Sequence, residues 1–511
     1  MCLSRSCASS SADSRRVSVD AGTSLVGTNN LLPPLLELHG NDSASKHTYT
    51  AKARTGVASP TFTPSPALLA EGIAVLETLL DTPTALTLVT ELWYSDWGDD
   101  ACQGALVKAS WQAVVETLLP RLRVDSSAPA VSEICASMFK RTSQPLRWPT
   151  SPANGALVQA FSADGLRWET LGLYFALIGA VLGRMKEGPE SVLFVSEKWG
   201  PDRRCVMQRM LDSCLQCYRI CERMGQINDL TVWHLNLATM LTTWCYGDDS
   251  YQAWRLMGDL ASAVIALGYH GTAKDDSDVP FYLQQFRRRA LAGAHELDKG
   301  LATFVGRPPH LSRRYVGLDP PLDLPSSVIM GTPEALAAAI SRLDSNGWNT
   351  EGRVYPITRT RAVAMLIGIR EEALELSLGP PNDNVKWRSR FVNPSCYHRV
   401  NNSLLTITRR ALLARSASIW SSFPPHVKYT PSVWAQHSSQ NVMLLLMLRL
   451  EALYTDFILH KLVMAQYPSN RNMLIETSHL ILSLVLSALN QRIALAQHRI
   501  DLEWTVSRPS R

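Results

Sequence analysis

Cys205, Cys214, Cys217 and Cys221 include a Cys-Leu-Gln-Cys step, the spacing at which two thiolates can hold one zinc ion. Met210, Cys214, Cys217, Cys221 and Met224, however, step by four, three, four and three. That is one face of a helix, where cysteine packs as a small apolar residue. No histidine or fourth sulfur lies close by in sequence to complete a tetrahedron, so the spacing favours core packing over a metal centre.

Acidic groups are the second candidate. Asn228-Asp229, Asp248-Asp249 and Asp275, Asp276 and Asp278 are the acids with which an all-helical isoprenoid cyclase would hold magnesium and diphosphate. None keeps an Asp-Asp-x-x-Asp spacing, and the three at 275–278 sit in a polar connector before Pro280, where solvated loop acids are ordinary. His295-Glu296 lacks the second histidine four residues on that a helical zinc protease requires. Gly-x-Ser-x-Gly, Walker and Gly-x-Gly-x-x-Gly patterns do not occur. These failures predict a chain that is not an enzyme.

The third candidate is "FRRRALAGAHELDKGLATFVGRPPHLSRRYVGLDPPLDLP", residues 286–325. A helix starting after Pro280 carries Leu283, Phe286, Ala290, Ala294, Leu297, Leu301 and Phe304 on one stripe. Arg287, Arg288 and Arg289 then fan over about 200° of its surface, which predicts a solvated rim and not a row that tracks phosphates. Gly306 suits the left-handed position past a helix end, and Pro308 and Pro309 block continuation. The Gly-Arg-Pro-Pro run thus reads as a helix stop.

The elements that must position these residues are helices. Three- and four-residue apolar steps predict them at 67–81, 84–94, 105–119, 130–140, 165–183, 201–224, 229–245, 251–268, 281–305, 333–343, 360–377, 401–422, 438–465 and 471–504. Convincing strands are absent, breaker clusters such as "GPPNDN" and "SFPPHVKYTPS" separate the helices, and no 20–50-residue period repeats. The expected fold is mainly α, a multi-helix bundle spanning 67–505 behind a flexible Ser/Thr/Pro-rich lead at 1–66. Trp93, Trp97, Trp111, Trp168 and Trp254 fall among helical apolar positions, as core or groove lining would.

Composition adds bounds. A net charge of +5 over 511 residues does not announce a polyanion partner. Ten scattered cysteines without a leading apolar segment predict reduced thiols in a nuclear or cytosolic protein. The stretch 442–463 carries Arg449, Glu451, Asp456, His460 and Lys461, each costly in lipid, so no membrane partner is expected.

The arginine-rich helix start, Asp298-Lys299 about ten residues on, the Gly306-Arg307-Pro308-Pro309 stop and the "DPPLDLP" ending resemble the fungal-specific transcription factor domain, the regulatory middle region of fungal zinc-cluster transcription factors. "QAWRLMGDLASAVIALGYH" (252–270) resembles the helix that precedes that motif. "FSADGLRWETLGLYFALIGAVLG" (161–183) is similar to versions found in regulators of secondary-metabolite gene clusters. The resemblance extends over 67 to about 500 and is most specific at 150–325. It implies a nuclear transcription regulator of the all-helical type, in which Arg287, Arg288, Arg289, Asp298, Gly306, Arg307 and Pro308 are structural motif residues. Implied partners are proteins, as homo- or heterodimers, and a small effector.

Two departures stand out. Ala290-Leu291-Ala292 replaces the family's Leu-Trp-Trp, and only Cys2 and Cys7 occupy the region where six clustered thiolates would form a binuclear zinc site. Hence no zinc or other cofactor is expected in this chain. DNA contact would be indirect, or would use a module beyond this sequence if its start falls inside a linker. The alternative is an interaction partner of an intact zinc-cluster factor that itself never touches DNA.

Overall fold

A computed structural model describes residues 62–81, 113–152, 166–184, 203–269, 279–317, 319–378, 397–464 and 471–491, within the unit Ala51–Arg511. Most of the N-terminal lead, the helix expected at 84–94, Trp93, Trp97 and Trp111, the acids Asp275, Asp276 and Asp278, and the last helix beyond 491 lie outside the described residues.

Among the described residues the elements are α1 (Pro66–Asp81), a π-helical turn (Ala113–Leu118) running into α2 (Leu119–Val124), α3 (Ala128–Thr142), α4 (Trp168–Arg184), α5 (Arg203–Arg223) and α6 (Asp229–Tyr246). Then come α7 (Tyr251–Ala266), α8 (Phe281–Val305), α9 (Ser326–Ile329), α10 (Pro333–Ile340) and α11 (Pro356–Leu378). The C-terminal part has α12 (Tyr397–Ser422), a 3-10 turn (Pro425–Val427), α13 (Val433–Gln436), α14 (Ser439–Met464) and α15 (Arg471–Asn490). No strand occurs among them; one antiparallel bridge, Leu343 to Asn349, closes a turn. The fold is mainly α, as the helical spacing predicts.

Local chemistry sets the ends. Asn228 caps α6 by accepting from the Leu230 amide (2.9 Å), and its own amide donates to Thr231 Oγ1 (3.1 Å), so two orphan donors at that end are satisfied. Ser250 caps α7 and Thr332 caps α10 in the same way. Gly306 (φ 64°) ends α8 in the left-handed region, where a Cβ would be strained. Helix α11 begins at Pro356, four residues before the apolar periodicity suggests, because proline at the first helical position lacks only a donor the helix cannot use.

At the centre lies α4, apolar on every side: Leu171, Leu173, Phe175, Leu177 and Ile178 are fully buried, as expected for a helix without a polar face. It packs along α5 and α6, α6 packs on α7 and α8, and α8 leads through α11 to α12, α14 and finally α15. The cysteine stripe of α5, Cys214, Cys217 and Cys221, is buried in this core. Burial holds all three thiols well above the ordinary thiol range, which makes them inert packing groups.

Gly172 and Gly179 of α4 face His234 and Leu241 of α6, so two glycines seven apart meet two side chains seven apart. A Cβ on Gly172 would overlap the His234 ring, and one on Gly179 would lie 2.5 Å from Leu241 Cδ2. Gly172→Ala should therefore destabilise the chain by about 1–3 kcal/mol, reversing the helix-propensity gain that alanine normally brings. Urea unfolding followed by circular dichroism measures it.

Candidate functional site: a buried arginine and carboxylate network

The residues with chemical potential converge around α8. This helix is buried on nearly all sides: besides the predicted apolar stripe, Arg289, His295, Asp298 and Lys299 are within 1% of complete burial. The solvated arginine rim expected from the sequence is therefore corrected. The fan of three directions is real, but Arg287 and Arg289 find internal partners and only Arg288 stays with a surface one.

Arg287 forks onto Asp229 at the start of α6, with Nε 2.7 Å from Oδ1 and Nη2 3.1 Å from Oδ2. The same carboxylate accepts the Tyr269 hydroxyl (2.5 Å) and the Trp148 indole N–H (2.9 Å). Arg288 reaches Asp319 at 3.7 Å near the surface. Arg289 donates to Ser326 Oγ and to the Leu324 carbonyl, and lies over the Phe286 ring. The three arginines thus pin three segments to α8: the α6 N-terminus, the proline loop and α9.

About two and a half turns of α8 further on, Asp298 and Lys299 are fully buried and paired at 2.7 Å. Asp298 accepts the backbone amides of His310 (2.8 Å) and Leu311 (2.9 Å), while Lys299 donates to the Leu311 carbonyl and stands 3.2 Å from Glu371 of α11. Burial opposes the charge on Asp298, yet the His310 and Lys299 donors outweigh it and hold the carboxyl below its usual range. Gly306 turns the chain, Arg307 lies over the Trp254 ring, and the loop after Pro308 folds back onto the helix it has just left. Trp254 also meets His310, ring centroids 4.2 Å apart.

Downstream, Arg361 donates to the Pro320 and Pro321 carbonyls and lies over Trp348. Asp323 accepts from Thr358 Oγ1 (2.6 Å) and from the Asn349 amides. Arg359 forks onto Glu296, joining α11 to α8. Further along α11, fully buried Arg370 pairs with Glu451 (2.9 Å) and donates to Thr455 on α14. Beside α4, Arg167 pairs with Glu169 (3.1 Å) and donates to the carbonyls of Arg141, Thr142 and Gln144 at the C-terminus of α3, where a helix favours a cation.

Residues 207–332, from α5 to the N-cap of α10, match the family model of the fungal specific transcription factor domain. Over these residues the chain is similar to that domain. The match covers about a quarter of the 511 residues, a narrower span than the sequence resemblance, and it contains all seven motif residues from Arg287 to Pro308. No curated protein and no solved structure matches the chain. The fungal specific transcription factor domain marks a transcription regulator and is a regulatory family, not an enzyme family.

The geometry commits one of the candidate cyclase pairs, Asn228-Asp229, to internal bonds. Asp229 has its oxygens filled by four donors from three side chains, and Asn228 is a helix cap that also donates to Glu169 (2.7 Å). The cysteine stripe has a neighbour that its spacing did not reveal: His234 Nε2 lies 3.0 Å from both Sγ and the backbone oxygen of Cys214. Among the described residues, no three His, Cys, Asp or Glu side chains converge as a metal site.

Sequence reasoning missed Asp323, Arg361, Arg370, Glu451 and the Arg167–Glu169 pair. A faint signal existed. Charged residues inside otherwise apolar helices are expensive in a core as in lipid, so each implies an opposite partner on a facing element.

Proposed function

We propose that the chain regulates transcription of a fungal secondary-metabolite gene cluster from the nucleus. In this reading 67–505 acts as one receiver, whose conformational balance is shifted by a protein partner or a small effector. The chain has no resident cofactor, and DNA contact is made through another module or through a partner.

The observation that carries the reading is the direction in which the charged motif points. Arg287, Arg289, Asp298 and Lys299, the groups best able to bind phosphate or move a proton, are spent on internal bonds that join α6, α8, α9, α11 and the proline loop. A catalytic centre needs such groups facing a substrate; a scaffold that transmits a change of shape needs them as clamps.

Deletion of the gene followed by transcript profiling should show coordinated loss, or coordinated rise, of a block of neighbouring transcripts. Purified chain incubated with prenyl diphosphates and magnesium should leave them unchanged. Turnover of the diphosphate overturns the reading. So does an unaltered transcript profile under conditions that express the cluster.

A second reading, a chain that works only by pairing with an intact zinc-cluster factor, is favoured by one feature. Within this sequence only Cys2 and Cys7 lie ahead of the first described helix, against the six thiolates a binuclear cluster needs, so these residues would not form one themselves. A promoter fragment retarded by the purified chain alone eliminates it.

A further inference from the structure

The last described helix, α15, has a face that the other described residues do not cover. Leu484 and Ala488 pack with Met443, Leu446 and Leu450 of α14, and Thr477, Ile481 and Val485 are buried as well. Ile475, Leu482, Leu486 and Leu489 turn away and stay 52%, 56%, 49% and 38% exposed. At about 100° per residue these four fall within a strip about 60° wide and about 21 Å long, on the side remote from α14.

Ordinary solvated helix faces carry lysine, glutamate or arginine. Here no charged residue occurs from Thr477 to Gln491; His479 is the sole titratable group in that run. The strip amounts to roughly 400 Å² of contiguous apolar surface, the scale at which a patch on a folded chain marks an interaction site.

Its pattern selects the occupant. Leu482 stands midway between Ile475 and Leu489, seven residues from each, so a second α15 laid antiparallel places Leu482 against Leu482 and Ile475 against Leu489. That is the self-complementarity of a twofold interface. Pairing two strips with their serine and asparagine borders removes on the order of 1,000 Å² from water, the threshold for a specific contact. The absence of like charges leaves nothing to repel the second copy.

Lipid fits less well. By length and composition alone α15 could cross a membrane, but doing so would strip Leu484 and Ala488 from α14. A helix lying on a membrane borders its apolar face with lysine and arginine, and Arg471 is the only basic residue between 471 and 491 apart from His479.

We propose that α15 forms a twofold, antiparallel helix pair with α15 of a second copy of this chain. Light scattering on the eluting full-length chain, loaded at about 1 to 100 μM to span a weak interface, should show a dimer that dissociates on dilution. The double variant Leu482→Glu/Leu486→Glu should be monomeric throughout, with an unchanged circular dichroism spectrum because both side chains are already exposed. Leu482→Cys should cross-link to itself under mild oxidation above the wild-type background, whereas Leu480→Cys, on another side of the helix, should not.

A wild-type monomer at every concentration overturns the proposal, as does a dimer that both glutamates leave intact. Should the double variant misfold, the cysteine pair decides: equal cross-linking at 480 and 482 removes the twofold axis. Co-sedimentation of wild type, but not the double variant, with phosphatidylserine-containing vesicles, without a dimer in solution, assigns the strip to lipid instead.

Discussion

Replacing Asp298 with alanine lowers the unfolding free energy by about 3–5 kcal/mol, the cost of breaking a buried ion pair from one side. The loss exceeds an ordinary core truncation because three donors depend on this carboxylate: the Lys299 ammonium and the amides of His310 and Leu311. Lys299 keeps Glu371 at 3.2 Å, but Glu371 already serves the Arg313 amide and Ser312, so one carboxylate must do the work of two. In urea the unfolding midpoint should fall with little change in slope. Hydrogen exchange should report lost protection at the His310 and Leu311 amides before the helices open. Asp298→Asn, similar in shape but uncharged, should lie between. The carboxyl's folded value is held below its unfolded value near 3.9. Its contribution is therefore complete above about pH 4 and is lost as pH falls through the lowered folded value. Wild type and Asp298→Ala should converge only at strongly acid pH. A loss below 1 kcal/mol at pH 7 would mean that the loop after Gly306 is held by Arg307 on Trp254, and not by the carboxylate.

The helices were legible because their information is local. Apolar spacing located α8 residue for residue, and the Gly306 stop could be read from the need for a left-handed position. The surroundings of α8 were not legible, for a physical reason. A stripe predicts one buried face, whereas α8 touches α6, α7 and α11 and the loop that follows it, so its polar side is buried as well. The arginine triplet looked like solvent-facing charge because its partners, Asp229, Asp319, the Leu324 carbonyl and Ser326, lie from 31 to 58 residues away in sequence. The seam of Gly172 and Gly179 against His234 and Leu241 was equally hidden. Each pair spaced by seven is visible on its own helix, but the pairing is a property of two helices crossing closely.

Acidification from pH 7 to pH 5 should weaken the fold steeply, by as much as about 1.4 kcal/mol per pH unit for each of two buried imidazoles. His234, enclosed between α4 and α5, is held down to about 4; burial is the main cause, and the Cys214 carbonyl and the Glu169 charge pull the other way. His295 is held to about 3, by burial first and then by the Lys299 charge, with Asp298 opposing and Arg313 assisting. Both folded values lie below the unfolded value near 6.5. Between the two, the unfolded chain binds protons that the native chain refuses. Stability is complete above about pH 6.5, declines as pH falls, and stops declining once the folded chain also takes the proton. Asp298 adds nothing to this window, since its carboxyl titrates below it. His295→Met separates the two contributions: both His295 ring nitrogens lack a hydrogen-bond partner, so methionine orphans nothing and removes one proton from the linkage. Urea midpoints measured from pH 7 to pH 4.5 should fall less steeply in this variant, without loss of stability at pH 7. Parallel profiles would remove His295 from the acid sensitivity and leave it to the other depressed imidazoles, His234 foremost. Because His234 rests on Gly172, acid should then loosen the α4–α6 seam before the arginine clamps of α8 give way.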